Sequence, residues 1–87
     1  MSYTVYILYS DKDKKLYVGC TSDIVDRKKR HDTGQVEATK NRRPLHLIHT
    51  ELFEDKTKAF NRERFLKSLW GSREKEKIKK DWLKHFV

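Results

Sequence analysis

The sequence predicts an α+β fold: a small, three-stranded, mainly antiparallel sheet flanked by helices, in the order β-β-α-β-α-α. Three observations lead there. Two short runs rich in aromatic and β-branched residues, 3–9 and 15–19, are separated by the polar turn Ser10-Asp11-Lys12-Asp13-Lys14, which makes a hairpin. A third apolar run follows Pro44. The other stretches carry helix caps and helical periodicity, and strands and helices are segregated rather than strictly alternating.

The first strand is Tyr3-Thr4-Val5-Tyr6-Ile7-Leu8-Tyr9, and its hairpin partner contains Leu16-Tyr17-Val18-Gly19. Thr21, Ser22 or Asp23 can cap the following helix by accepting a first-turn N–H. That helix runs through Ile24, Val25 and the basic block Arg27-Lys28-Lys29-Arg30 to about Asp32, and Gly34 is placed to end it. Residues 35–43 are polar and basic, which suits a surface loop. The segment from Leu45 to Phe53 is the third strand. Asp55 or Thr57 then caps a helix from about Lys56 to Trp70. Gly71 breaks it, Ser72 can cap another, and a last amphipathic helix over about 73–86 carries Ile78, Trp82, Leu83 and Phe86.

The chain has 87 residues, too few for two independent cores, so one domain over 1–87 is expected. Lysine and arginine number 21 against 13 acids, a net charge of +8. That excess favours a polyanion as partner, because neutralising phosphates releases condensed counterions. Charged residues make up 39% of the chain, so many Glu–Lys neighbours also cancel locally. A lone cysteine, Cys20, excludes an internal disulfide and a thiolate metal cage, and fits a reducing compartment. After Gly19 at a strand end it reads as a small buried hydrophobe rather than a nucleophile. No stretch has the apolar length of a membrane span or a signal core, so a cytoplasmic protein without a membrane partner is expected. One proline and three glycines leave no linker, and there is no repeat.

Chemistry concentrates in five residues. Arg27 and His31 are four apart, so they share a helix face. An arginine fork bonds two phosphate oxygens at once, and a histidine can orient water or move a proton. Each also has a plainer reading: Arg27 sits in a solvated basic run, and His31 near a helix C-terminus complements the dipole. Tyr6 and Tyr17 stand on opposite strands of one hairpin, where tyrosines mostly pack but can also present a hydroxyl to a phosphate or a water. Glu63 is centred on a helical stripe with Ala59, Leu66 and Trp70, with Phe60 and Leu69 on its edges. A carboxylate there needs a compensating charge or a metal. A salt bridge to Arg27, Arg62 or Lys67, or a place at the mouth of the stripe, is the alternative. Together these are the groups that a metal-assisted phosphodiesterase needs.

The set resembles the GIY-YIG nuclease superfamily. Thr4-Val5-Tyr6 stands for its first motif and Tyr17-Val18-Gly19 for its second, with Thr4 in place of the name-giving glycine. The helix from Thr21 through Arg27 to His31, then Lys40 with Arg42-Arg43-Pro44, then Ala59 with Arg62-Glu63, continue the match. It covers about residues 3–70 and is closest in kind to short stand-alone bacterial members. The resemblance implies that Glu63 is the sole protein ligand of Mg2+ or Mn2+ and that Arg27 binds the scissile phosphate. It also implies that Tyr6 or Tyr17 positions or deprotonates water, with His31 assisting. Many members place an asparagine after the glutamate helix; the asparagines here are Asn41 and Asn61, and Ser68 is the polar group near the expected place.

The leading expectation is therefore a divalent-metal-dependent endonuclease acting on DNA rather than RNA, with little sequence specificity and room for a branched, damaged or flapped substrate. Lys28, Lys29, Arg30, Lys40, Arg42 and Arg43 are the candidate backbone-binding cations. The alternative is a nucleic-acid-binding domain that cleaves weakly or not at all. A third class, a protein-interaction module built on Trp82 and Phe86, competes with their use in closing the core.

Overall fold

The computed structural model describes residues 2–85, so Phe86 lies outside the described residues. The strands are β1 (Tyr3–Ser10), β2 (Leu16–Thr21) and β3 (Leu45–Phe53); the helices are α1 (Ile24–Asp32), α2 (Lys56–Lys67) and α3 (Ser72–Lys84). A short 3₁₀ turn, Leu69–Gly71, joins the last two. The sheet order is β2-β1-β3 with both pairings antiparallel, which is the α+β arrangement the sequence predicts.

β1 is central and buried from Thr4 to Ser10, as expected for a run with apolar residues on both faces. Side-chain alternation divides it. Val5 and Ile7 join Val18, Ala59 and Leu66 in the core beneath α2, with Ile78 of α3 packed against it. Tyr6 and Leu8 face the other way and pack with Leu45, Tyr17 and Ile24, the start of α1. The register pairs Tyr6 with Gly19 and Leu8 with Tyr17, so the two tyrosines of the hairpin point to one face. A bulge at Ile7/Leu8 shifts the pairing with β3 from His49 to Leu47.

The caps follow from the local sequence. Asp23 accepts from the Asp26 N–H at 3.0 Å, and Asp55 accepts from Thr57 at 2.8 Å. Gly34, at φ 79°, takes the left-handed conformation just past α1. The end of α2 differs from expectation. The helix stops at Lys67, because Ser68 turns extended (ψ 168°) and its hydroxyl donates to the Phe65 carbonyl at 2.6 Å. Trp70 therefore leaves the Glu63 stripe and is exposed, whereas Ala59 and Leu66 stay buried. The loop at 35–43 is not wholly on the surface: Thr39 is completely buried. On α3, Trp82 packs against Tyr9 and His46, with ring centroids 5.5 and 5.3 Å apart, so it closes the fold as expected. No helix among the described residues is long and apolar enough to cross a membrane.

Candidate active site

Tyr6, on the central strand, and His31, in the last turn of α1, are both buried, and the Tyr6 hydroxyl lies 2.9 Å from His31 Nε2. His31 Nδ1 is 2.7 Å from the Thr39 hydroxyl, so both ring nitrogens are engaged and the imidazole cannot turn. Gly19 makes this possible. A Cβ at that position would stand within 3.0 Å of Cζ, Oη and Cε1 of Tyr6, so only a residue without one lets the phenol lie across β2 toward the helix.

Burial pushes the Tyr6 phenol up to about 12; the neighbouring Tyr17 and Glu63 add to this, and Arg27 opposes it. Burial also lowers the His31 pKa, assisted by Arg27 and Lys28 against Asp32. At neutral pH the site thus holds a neutral phenol against a neutral imidazole, a pair between which a proton moves without creating a lone buried charge. Tyr17 is half-buried, 6.4 Å from Tyr6 and 5.2 Å from His31 by ring centroids.

Arg27 and Glu63 come from opposite helices yet both act electrostatically on Tyr6 and on Cys20. Glu63 is 21% exposed at its side chain and pairs with Lys67 at 3.0 Å, one of the salt bridges the stripe allows. Cys20 is half-buried on the core beneath α2, with its thiol pKa raised by burial. Arg27 has no ion pair with a carboxylate among the described residues. Its neighbours do: Lys28 with Asp32 at 2.7 Å and Arg30 with Asp26 at 2.8 Å. Of the five residues singled out from the sequence, Tyr6, Tyr17 and His31 thus form one contact cluster, and Arg27 and Glu63 lie near enough to act on Tyr6 electrostatically.

The basic residues singled out with them do not behave alike. Lys29 is exposed, and Lys40 pairs with Glu37 at 3.1 Å. Arg42 bonds Asp13 at 2.6 Å and the Leu16 carbonyl, and its hydrogen bond holds the Asp13 carboxyl down to about 2. Arg43 donates to the carbonyls of Lys40 and Asp32. These two guanidiniums tie the 35–43 loop to the hairpin and to α1. Thr39 is the member of the site that sequence reasoning missed; a threonine in a polar loop carries no periodicity to mark it. Ser68 spends its hydroxyl ending α2.

Residues 2–83 match the GIY-YIG catalytic domain. A UPF0213 protein of Natronomonas pharaonis is 42% identical over 66 residues, covering 75% of this chain and 76% of that one. A UPF0213 protein of Staphylococcus aureus is 40% identical over 68 residues, covering 77% and 82%. The solution NMR structure of a UPF0213 protein from Bacillus halodurans superposes with a TM-score of 0.55 at 34% identity, covering 90% of this chain and 82% of that one. With the domain match over nearly the whole chain and relatives at 40% identity or more, this chain belongs to the GIY-YIG family.

Proposed function

We propose that the protein is a divalent-metal-dependent endonuclease that hydrolyses phosphodiester bonds in DNA, with little sequence specificity of its own. The observation that carries this reading is the hydrogen-bonded series Tyr6–His31–Thr39 with Arg27, which has no carboxylate partner among the described residues, beside it. A buried phenol bonded to a neutral imidazole is a proton-handling unit, and a partly buried guanidinium without a carboxylate partner is a phosphate site. The net charge of +8 supports a nucleic-acid substrate.

Arg27 binds the scissile phosphate and offsets charge that develops on it. Tyr17, the more open tyrosine, orients the attacking water. Tyr6, held near 12, is too weak an acid to act as a free phenolate at neutral pH. It therefore takes a proton from the attacking water as it passes its own to His31, and the scissile phosphate balances the imidazolium so formed. Thr39 holds the imidazole in place for that transfer. Glu63 offers a single, partly buried carboxylate, and a magnesium-like ion can bind through one carboxylate with water and substrate phosphate completing its shell. Glu63 would hold Mg2+ or Mn2+, released from Lys67 as substrate enters. The bound ion would polarise the phosphate and stabilise the leaving oxygen.

The test is a nicking assay on supercoiled plasmid and on a branched duplex, with magnesium, manganese or EDTA. Metal-dependent cleavage should be lost in Glu63→Ala and Arg27→Ala while the circular dichroism of each matches the wild type. Equal cleavage by wild type and Glu63→Ala would sink the mechanism. One observation favours the second reading, a nucleic-acid-binding domain with little catalysis: the Glu63 carboxylate is already engaged by Lys67. That reading expects salt-dependent binding that needs no divalent ion and survives Glu63→Ala.

A further inference from the structure

The two most exposed large apolar side chains among those described sit side by side: Leu69 at 91% and Trp70 at 85%. A domain of this size has little apolar surface to spare, and a tryptophan is the largest single contribution it could bury. The exposure is built into the backbone. Gly71 is buried against the end of α2, where a Cβ would stand 2.7 Å from Leu66 Cα and under 3.0 Å from the Phe65 carbonyl oxygen. Only glycine lets the 3₁₀ turn press so closely on the helix. The Ser72 hydroxyl donates to the Leu69 carbonyl at 2.7 Å, and the Gly71 N–H to Ser68 at 3.2 Å. The turn is thus pinned at both ends, and the two side chains between are held outward. Trp82 packs against two rings, whereas Trp70 has no ring contact among the described residues.

The surroundings are cationic. Arg64 and Lys67 precede the turn and Arg73 follows it; neither Arg64 nor Arg73 has an ion pair among the described residues. Phe60, Glu63, Arg64 and Lys67 line a shallow depression of about 280 Å³ on α2, and Lys56 lies 5.5 Å over the Phe60 ring. Glu63 to Lys67 spans about 6 Å at the helical rise, and Trp70 follows three residues beyond the end of α2. The Glu63 end of the candidate active site and the turn thus adjoin along the chain.

We propose that the Leu69–Trp70 turn is a base-stacking site that takes an unpaired base of the nucleic acid held at the active site. Every base has a π-face, and an exposed aromatic ring with Arg64, Lys67 and Arg73 close to it in sequence fits a base with phosphates on either side. A second copy of the chain fits poorly: two side chains offer far less than the roughly 800 Å² per partner of a stable interface, and both copies carry the same cationic rim. This rests on the nuclease reading and narrows its substrate to nucleic acid with an unstacked base, such as a flap, a junction or a single-stranded stretch.

The probes are a short fluorescein-labelled oligothymidylate and a mixed-sequence duplex of equal length, titrated with the full chain at one fixed salt concentration. The oligothymidylate should quench the tryptophan emission of the wild type. Trp70→Ala should weaken its binding by about 5- to 150-fold, the range that loss of one stacked base allows, and should leave duplex binding unchanged. Trp70→Phe should retain most of the affinity. Equal oligothymidylate affinity in wild type and Trp70→Ala overturns the proposal. So does a concentration-dependent dimer, seen by sedimentation, that Trp70→Ala abolishes. The two readings fail separately: plasmid nicking lost in Glu63→Ala without any effect of Trp70→Ala on binding retains the nuclease and removes this site. Trp70-dependent binding without cleavage does the reverse.

Discussion

Gly19→Ala tests whether the β2 glycine is there for the Tyr6 ring. The position has no left-handed backbone that would demand glycine. By chain entropy alone, alanine in a strand should therefore stabilise the protein by about 0.4–1 kcal/mol. The geometry says otherwise. The new methyl would lie within 3.0 Å of three atoms of Tyr6, whose side chain is only 1% exposed and cannot swing into solvent. Overpacking costs about 1–3 kcal/mol. If the ring moves, the bond to His31 Nε2 is lost inside the core, a further ~1–3 kcal/mol. The balance is a loss of up to about 5 kcal/mol, against a total stability for such a chain of roughly 4–13 kcal/mol. The assay is urea and thermal denaturation followed by circular dichroism, where each kcal/mol corresponds to about 4–8 °C. In a Tyr6→Leu background the clashing ring atoms are absent, so Gly19→Ala should there be neutral or slightly stabilising. A stabilising Gly19→Ala in the wild-type background would refute the argument.

Three further predictions follow from buried and half-buried titratable groups. His31 has its pKa lowered by burial, so the unfolded chain binds a proton below about 6.5 that the folded chain refuses. Stability should be full above that value and fall as pH drops through it, and His31→Gln should flatten the thermal-midpoint profile between about pH 7 and pH 5. Tyr6 gives the opposite flank: unfolded chains lose the phenolic proton near 10 and folded ones near 12, so stability should decline across that window. Tyr6→Phe should remove this alkaline decline, and ultraviolet titration of the phenols should show one late-ionising tyrosine fewer. Arg62 bridges Glu51 of β3, at 2.7 Å, and Glu74 of α3, and its hydrogen bond holds Glu51 below the usual carboxylate range. With the Arg62 and Glu51 side chains only 24% and 23% exposed, Arg62→Leu should cost about 1–3 kcal/mol, between surface and buried pairs. The loss should shrink in high salt, and no change in the urea midpoint would rule the bridge out as a stabilising link.

How much of this was written in the chain differs from element to element. The three strands, α1 and the start of α2 are set by neighbours in sequence: alternation along Tyr3–Ser10, the Asp23 and Asp55 caps, Gly34 past α1. Such rules act within a turn or a strand, so a linear reading captures them. The helical spacing of Arg27 and His31, and the isolation of Glu63 on its stripe, were likewise legible. The end of α2 was not. The apolar phase continues in sequence to Trp70, yet the helix stops at Lys67 because the Leu69–Gly71 turn docks Gly71 against Phe65 and Leu66. That decision turns on backbone packing, which spacing does not encode.

The same division runs through the candidate site. Residue types and motif order brought Tyr6, Tyr17, Arg27, His31 and Glu63 to notice, and these are local or pairwise regularities. That Thr39 folds back to hold His31 has no trace in composition or period, nor that Arg42 and Arg43 anchor a loop while Arg27 lies beside Tyr6 without a carboxylate partner. Those facts depend on which side chains long-range folding places within hydrogen-bond reach. A basic run therefore reads as a uniform charge in the sequence, and only tertiary contact separates the guanidiniums that tie elements together from those without a carboxylate partner.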